Sequence, residues 1–211
     1  MNKVDFLLEI GTEEIPYSYL KPASDELAKK IDELLKKFQF NYEKVTSNLF
    51  TPRRIAIHIS NCDDMQNDYL EEIKGPPVKI CIDDQGNFTP PLAAFLNKNN
   101  LKKKQLEKRN FENKGEYFFG IRNVKGQSLK KILAENLPQI ILQLSFPKSM
   151  IWDASLIKFA RPIRWIVALL GQEILKFKVG LLQSGAITKG HRVLGQDKIK
   201  LSQASLDDYK E

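Results

Sequence analysis

The sequence is poor in cysteine and histidine, with two of each in 211 residues. Cys62 and Cys81 are too few for a disulfide framework and lack the paired spacing of a zinc site, so we expect two buried or free thiols. His58 and His191 stand far apart in the chain, and a solitary histidine is more often a packed residue than a catalyst. These counts argue against a disulfide scaffold, a zinc fold and histidine-based catalysis.

Long apolar runs are also missing. The apolar run near the start is only about five residues long, with Asp5 inside it and Glu9 at its end. A secretory signal needs a longer apolar core, and a membrane span needs roughly 20 apolar residues. Hydrophobic residues make up 42% of the chain and charged residues 28%, which is typical of a globular domain. We therefore expect a folded cytoplasmic protein that does not enter a membrane.

Motifs that bind nucleotides or metals are absent from the sequence. It contains no Walker-type phosphate loop, no GxGxxG, no HExxH, and no serine or cysteine nucleophile in a recognised elbow. We therefore predict no catalytic residue, no metal site and no bound cofactor in this chain.

Positive charge is concentrated in the second half. The net charge is +7, yet residues 1–91 hold 11 Lys and Arg against 16 Asp and Glu, whereas residues 92–211 hold 22 against 10. Between Lys148 and Arg192 the balance is eight basic residues to two acidic ones. Such an excess favours a polyanionic partner, and a merely solvated lysine surface is the alternative.

The periodicity predicts an α+β fold of mainly antiparallel sheets with packed helices, in two lobes at residues 1–97 and 98–211. Residues 4–10 are predicted to form a strand that ends at Gly11, and a helix is predicted from Pro16 to Phe38 with Pro22 in its first turn. Two strands, NYEKVTSNLF and RRIAIHISNC, should follow around Thr51-Pro52.

The rest of the chain mixes short strands and helices. Glycine and prolines should break YLEEIKGPPVKICID into two strands, DDQG should form a turn, and residues 98–110 should form a solvated connection between the lobes. Leu92–Asn97 and Ser128–Leu144 are predicted helices, the latter kinked or divided at Pro138. GEYFFGIRNV should form a strand, and the last third should form an antiparallel meander.

Short strings that combine arginine, proline and tryptophan carry the candidate site. Arginine grips phosphate or carboxylate oxygens with a rigid fork, and tryptophan can stack on a base. Fold-building, a subunit interface and direct RNA contact all remain open for these residues, and the pair Glu13 and Glu14 is explained by the start of the following helix. The candidates are Arg53, Arg54, Lys148, Trp152, Arg161, Arg164, Trp165, Lys189 and Arg192.

Six strings resemble one family in their order and spacing. LLEIGTEEIP, TPRRIA, KGPP, PKSMIWDAS, FARPIRWIVALLG and GHR are similar to the opening of the β subunit of bacterial two-subunit glycyl-tRNA synthetase, from about Phe6 to Gly195. The resemblance implies an N-terminal fragment of that subunit, without the HD-like and anticodon-binding regions that follow in the family. It supplies no catalytic residue in this part of the chain, and the lysine-rich run at 98–109 is a departure from it.

The resemblance also implies partners and cofactors. The family enzyme is an α2β2 assembly that joins glycine to tRNA(Gly), with ATP and Mg²⁺ used at the class II active site of the α subunit. We therefore expect a tRNA-binding and assembly module that is inactive alone and binds neither DNA nor membrane. Two other interpretations are open: a scaffold that docks on α without touching RNA, and an independent hydrolytic or editing activity.

Overall fold

The computed structural model describes residues 2–83, 86–110, 115–191, 193 and 195–210. The chain divides into two compact units: Asn67–Gly126 forms one, and the residues on both sides of it form the other. This division differs from the expected boundary between residues 97 and 98. The physical reason is that a strand from the last third pairs with the first strand of the chain, so the two ends share one sheet.

The first unit contains most of the secondary structure. Its elements before the inserted unit are β1 (Lys3–Thr12), α1 (Tyr17–Lys37), β2 (Lys44–Thr51) and β3 (Arg54–Asp63). The inserted unit holds β4 (Tyr69–Pro77), α2 (Val78–Cys81), α3 (Pro90–Lys98), a 3-10 turn (Lys103–Gln105), β5 (Leu106–Asn110) and β6 (Glu116–Val124). The first unit resumes with α4 (Leu129–Leu142), β7 (Met150–Ile151), β8 (Lys158–Phe159), β9 (Ile163–Leu170), β10 (Glu173–Ile174), β11 (Lys178–Val179), β12 (Leu182–Gln183), β13 (Ile187–Thr188), β14 (Ile199–Lys200) and α5 (Leu206–Lys210).

A five-stranded antiparallel sheet organises the first unit, in the order β10-β9-β1-β3-β2. Strand β1 is central and buried on both faces, since its side chains alternate between two cores. Phe6, Leu8 and Ile10 face the core that includes α1 and α4, while Leu7 faces a smaller core with Val167. The mainly antiparallel α+β prediction is confirmed.

The two long helices pack on one face of this sheet because each carries an apolar stripe. Leu27, Ile31 and Leu35 of α1 are buried at helical spacing, as the sequence predicts. Helix α1 begins at Tyr17, so Pro22 lies inside it rather than in its first turn. The Ser128 hydroxyl caps α4, which continues through Pro138 as one helix. No helix in the described part of the chain is long and apolar enough to cross a membrane.

The inserted unit is a three-stranded antiparallel sheet, in the order β4-β6-β5, with its own core. Two predictions fail in this unit. Residues 98–110 are mostly exposed, as predicted, but they do not form a connection between lobes, because they contain the 3-10 turn and β5, which pairs with β6 through backbone hydrogen bonds. Residues 78–81 form a helical turn rather than a second strand, and half of the predicted DDQG turn lies outside the described residues. The core contains Cys81, Leu92, Leu96, Leu101 and Phe118.

The last third is a meander only in part. Strand β9 turns back into β10, and β11 pairs with β12, as predicted, but the long edge of β9 joins β1 instead of its chain neighbours. Strand β13 pairs with β14 across a loop. Ala186, Leu201 and Ala204 lie on the face of the sheet opposite the helices and complete the smaller core.

Both cysteines are free and buried, which confirms their predicted state. They belong to different units, since Cys62 lies in β3 and Cys81 in α2. Burial, with the nearby Asp63 carboxylate as a lesser cause, raises the pKa of Cys62 to about 12. Burial also raises the pKa of Cys81. Both are therefore thiols that pack as small apolar groups at neutral pH.

Candidate functional site

Strand register brings the arginine- and tryptophan-containing strings to one end of the large sheet. Gly11 of β1 lies opposite Arg54 of β3 on one side and opposite Trp165 of β9 on the other. The backbone N–H of Thr12 donates to the Arg53 carbonyl at 2.8 Å, which ties the GTEEIP string to the TPRR string. Strings more than a hundred residues apart therefore meet at the carboxyl end of β1.

A buried carboxylate lies at the centre of this region. Glu9 is 0% exposed and accepts four hydrogen bonds, a set that we call the Glu9 network. The Thr188 hydroxyl donates to Oε1 at 2.6 Å, and the Trp165 indole N–H donates to the same oxygen. Oε2 accepts from the Tyr209 hydroxyl and, at 3.3 Å, from Arg54 Nη1. The network thus satisfies the buried charge with one cation and three neutral donors.

The network also fixes the segment after β13. Arg54 donates to the Thr188 hydroxyl at 3.3 Å and to the Lys189 carbonyl. At the other end of the chain, burial and then the Glu9 charge raise the pKa of Tyr209, so its phenol stays protonated and keeps donating at neutral pH. One carboxylate on β1 therefore holds together β3, β9, β13 and α5.

Gly11 is required by the position of Trp165. A Cβ on Gly11 would lie 1.9 Å from Cε2 of the indole, so only glycine lets the ring pack against the β1 backbone. Trp165 is 9% exposed, and its N–H is used by Glu9. The ring therefore contributes packing and a hydrogen bond within the unit, and it offers little open surface on which a base could stack.

Two cations lie over the same indole. The guanidinium carbon of Arg53 is 5.9 Å from the ring centroid of Trp165, and the Lys189 ammonium is 5.7 Å from it. Lys189 also pairs with Asp197 at 3.3 Å. Among the described residues the Arg53 side chain forms no ion pair, and its Nε is buried and has no hydrogen-bond acceptor. The Nη groups of Arg53, which are not among the buried atoms, are therefore the donors that remain for an anionic ligand.

A cavity of about 520 Å³ adjoins these cations, and we call it the Arg53 pocket. Its lining combines two guanidinium groups with a hydroxyl, an imidazole and one exposed carboxylate, that of Glu14. In the described parts of the chain, no group of three or more His, Cys, Asp or Glu side chains is placed to hold a metal ion. The pocket is lined by Glu14, Thr51, Pro52, Arg53, Arg54, Gly190, His191 and Val193.

The remaining predicted residues are dispersed. Arg164 is 54% exposed and pairs with Glu13 at 2.7 Å at the same end of the sheet. Arg161 donates to the carbonyl of its own neighbour Ala160 at 3.1 Å. Exposed Lys148 and half-buried Trp152 lie in the segment after α4, and Trp152 packs on the helix-covered face of the sheet, whereas Trp165 packs on the opposite face. Arg192 lies outside the described residues.

Sequence reasoning missed the centre of this region. In the sequence Glu9 looks like the polar end of an apolar run, and the partners Thr188 and Tyr209 belong to no recognised string. One signal was available, because Glu9 interrupts a strand that is apolar on both faces. A charged residue at such a position is buried and must be paired, which predicts a partner of opposite charge on a neighbouring strand.

Comparison with known proteins points to a subunit of an aminoacyl-tRNA synthetase. A family model described as glycyl-tRNA synthetase beta subunit matches residues 6–211. Among curated proteins named glycine–tRNA ligase beta subunit, the chain is 36% identical to that of Clostridioides difficile over 97% of its length, 38% identical to that of Halalkalibacterium halodurans over 100%, and 39% identical to that of Bacillus subtilis over 93%.

The chain belongs to the glycyl-tRNA synthetase beta subunit family. It covers 29%, 30% and 29% of the length of the three relatives named above. The resemblance inferred from the six strings is therefore confirmed at the level of the family.

Proposed function

We propose that this chain supports the cytoplasmic attachment of glycine to tRNA(Gly) by binding tRNA and by assembling with an α subunit in an α2β2 enzyme. In this proposal the class II active site, with its ATP and Mg²⁺, belongs to the α subunit, and the chain alone is inactive. Family membership supports the subunit role, and the absence of a recognised nucleotide-binding motif in the sequence is consistent with an active site on another polypeptide.

The observation that carries the RNA-binding proposal is the state of Arg53. Its guanidinium borders the Arg53 pocket, lies over Trp165 and forms no ion pair within the described part of the protein. A guanidinium preorganised in this way suits bidentate contact with a phosphate group. Lys189 adds a second cation beside the same ring, and its ion-pair partner Asp197 is 78% exposed, so a phosphate could displace it at little cost.

The test compares tRNA affinity of the full-length subunit, assembled with α, before and after Arg53→Ala and Lys189→Ala. We expect the double variant to bind tRNA roughly tenfold or more weakly, because a hydrogen bond between charged groups contributes about 1.5–3 kcal/mol. The slope of log affinity against log salt should become shallower by about one unit for each phosphate group that the variant no longer neutralises. Filter binding or fluorescence anisotropy at several salt concentrations gives both quantities.

Lys44→Ala is the control, since it removes an exposed positive charge from the same unit without touching the pocket. The control should leave affinity and slope close to the parent values. Tryptophan fluorescence and the mass of the assembled enzyme establish that each variant is folded and assembled. Parental affinity and slope in the folded double variant would reject a phosphate role for the two residues.

A scaffold without RNA contact is the second candidate, and the ion pairs of the region favour it. Arg54 forms an ion pair with Glu9, and Arg164 forms an ion pair with Glu13. Cations that are already paired contribute to architecture and need no further ligand. The same variants discriminate between the two candidates, because a scaffold predicts parental tRNA affinity for the double variant together with normal assembly on α.

A further inference from the structure

A cationic surface with an exposed aromatic ring lies on the inserted unit. Phe88 is 41% exposed, and the Lys103 ammonium lies 4.8 Å from its ring centroid. The ring also meets Phe118 edge to face, with centroids 6.3 Å apart. The Lys108 ammonium lies 5.7 Å from the centroid of Phe118. We call this surface the Phe88 patch, and it comprises Phe88 and the exposed lysines Lys102, Lys103, Lys104 and Lys108.

The 3-10 turn of this patch is fixed to the sheet beneath it. Leu101 is buried in the core of the inserted unit and lies against Gly120, where a Cβ would be 2.2 Å from Leu101 Cδ1. The Gln105 amide donates to the Ile121 carbonyl at 3.2 Å, and its oxygen accepts from the Lys102 backbone N–H at 2.8 Å. A turn held at both ends presents its lysines in one place, which lowers the entropy cost of binding a ligand.

Strand register keeps carboxylates away from the Phe88 patch. Lys108 of β5 lies opposite Phe118 of β6, on the face that packs on the core. Successive side chains alternate between faces, so Glu107 and Arg109 lie on the other face. There Arg109 pairs with Glu107 and, at 2.9 Å, with Glu72. Among the described residues, the ion pairs within this unit include none of the four lysines of the patch.

Protection of a sheet edge explains only part of this surface. β5 is an edge strand, and lysine on such a strand discourages pairing with other chains. That role accounts for Lys108, but Lys103 lies outside the strand. An exposed aromatic ring beside Lys103 does nothing to repel another chain. A ring and cations together suit a ligand that offers both a flat face and negative charge.

We propose that the Phe88 patch binds unpaired nucleotides of RNA, with one base stacked on its ring and the adjoining phosphates paired with its lysines. The inference rests on the tRNA binding proposed above and assigns to it a second surface. Lys103 lies over the ring and would move to a phosphate as the base arrives. RNA carries a flat base and a negative charge on every nucleotide, whereas a polypeptide would need acidic and aromatic side chains at one matching spacing.

Charge reversal at Lys103 tests the phosphate contact in the full-length subunit assembled with α. Lys103→Glu should weaken tRNA binding by about tenfold and make the slope of log affinity against log salt shallower by about one unit. Lys125→Glu is the matched control, at an exposed lysine just past β6 in the same unit, and it should leave both quantities close to the parent values. Fluorescence anisotropy at several salt concentrations measures both.

Substitution of Phe88 separates stacking from charge. Phe88→Leu keeps an apolar contact with Phe118 but offers no flat ring, so tRNA affinity should fall by about tenfold while the salt slope stays the same. Phe88→Trp should keep the parental affinity, and single-stranded oligoadenylate should quench its added fluorescence. Leu70→Ser is the apolar control, because Leu70 lies opposite Asn123 of β6 and therefore on the other face of the sheet from Phe118.

The outcomes separate RNA from a protein occupant. Weaker tRNA binding by Lys103→Glu and Phe88→Leu, with normal assembly and restored binding in Phe88→Trp, supports the inference. Parental tRNA affinity in both weakened variants overturns it. Parental tRNA affinity together with lost assembly on α, or with a lower unfolding midpoint of the unmixed subunit, would identify a protein occupant and also overturns it.

Failure here is distinguishable from failure of the Arg53 pocket, because the two tests change residues of different units. Parental affinity in the Lys103 and Phe88 variants, with weaker binding in the Arg53 and Lys189 double variant, rejects the Phe88 patch alone. The reverse pair of results rejects the Arg53 pocket alone.

Discussion

Replacing Glu9 with alanine is expected to lower the free energy of unfolding of the first unit by about 3–5 kcal/mol, the range for removing one partner of a buried ion pair. The variant leaves the partly buried Arg54 guanidinium without its carboxylate. It also removes the acceptor of three buried or half-buried donors, those of Trp165, Thr188 and Tyr209. Urea titration followed by tryptophan fluorescence measures this unit alone, because both tryptophans, Trp152 and Trp165, belong to it.

Glu13→Gln is the control for this experiment. It removes another ion pair at the same end of the sheet, with Arg164, but the two side chains are 37% and 54% exposed. Exposed ion pairs contribute about 0–1 kcal/mol, so the free energy of unfolding of the control should stay close to that of the parent. Glu9→Gln should lower the free energy of unfolding by an amount between those of Glu9→Ala and Glu13→Gln, since the amide retains one acceptor oxygen and loses the charge. Equal, small effects of Glu9→Ala and Glu13→Gln would contradict a central role for the Glu9 network.

The second large effect is expected from Gly11→Ala. The added methyl group would overlap the Trp165 indole, whose Cε2 lies 1.9 Å from the new Cβ position. Moving the ring costs about 1–3 kcal/mol for overpacking, and breaking its hydrogen bond to Glu9 costs about 1–3 kcal/mol more. We therefore expect the free energy of unfolding to fall by about 2–6 kcal/mol for one added carbon atom, measured by the same titration.

A double-mutant cycle tests the stated cause. In a Trp165→Ala background the indole is absent, so adding Gly11→Ala should cost much less than it does in the parent. Trp152 remains as the fluorescent reporter in this background. An undiminished cost would mean that alanine is rejected by the backbone at position 11 and not by the ring.

Local periodicity predicted the parts of the fold that carry their own apolar pattern. β1, α1 and β3 have alternating or helical apolar residues, and the structure places them as expected. The run at 98–110 lacks such a pattern, because β5 is an edge strand with mostly exposed, charged side chains. Its pairing with β6 comes from backbone hydrogen bonds, which leave little trace in composition.

The candidate site was predicted less completely than the fold. The arginine strings were found, because arginine beside proline and tryptophan is unusual in any sequence, and several of them converge as a group. The pairing of each arginine depends on the register between β1, β3 and β9. The β1–β9 part of that register joins residues more than a hundred positions apart. For the same reason the hydrogen bond between Tyr209 and Glu9 could not be predicted from the sequence around either residue.

Photocrosslinking from the rim of the Arg53 pocket tests the central claim most directly. Val193 lines this pocket and is 80% exposed, so a benzophenone amino acid in its place can reach any bound partner, while the same probe at Leu70 in the inserted unit is the control. In the assembled enzyme with tRNA(Gly), we expect an RNA adduct from position 193 and none from position 70. An adduct with the α polypeptide alone at position 193, in the presence of saturating tRNA, would contradict the proposal that this end of the sheet binds tRNA.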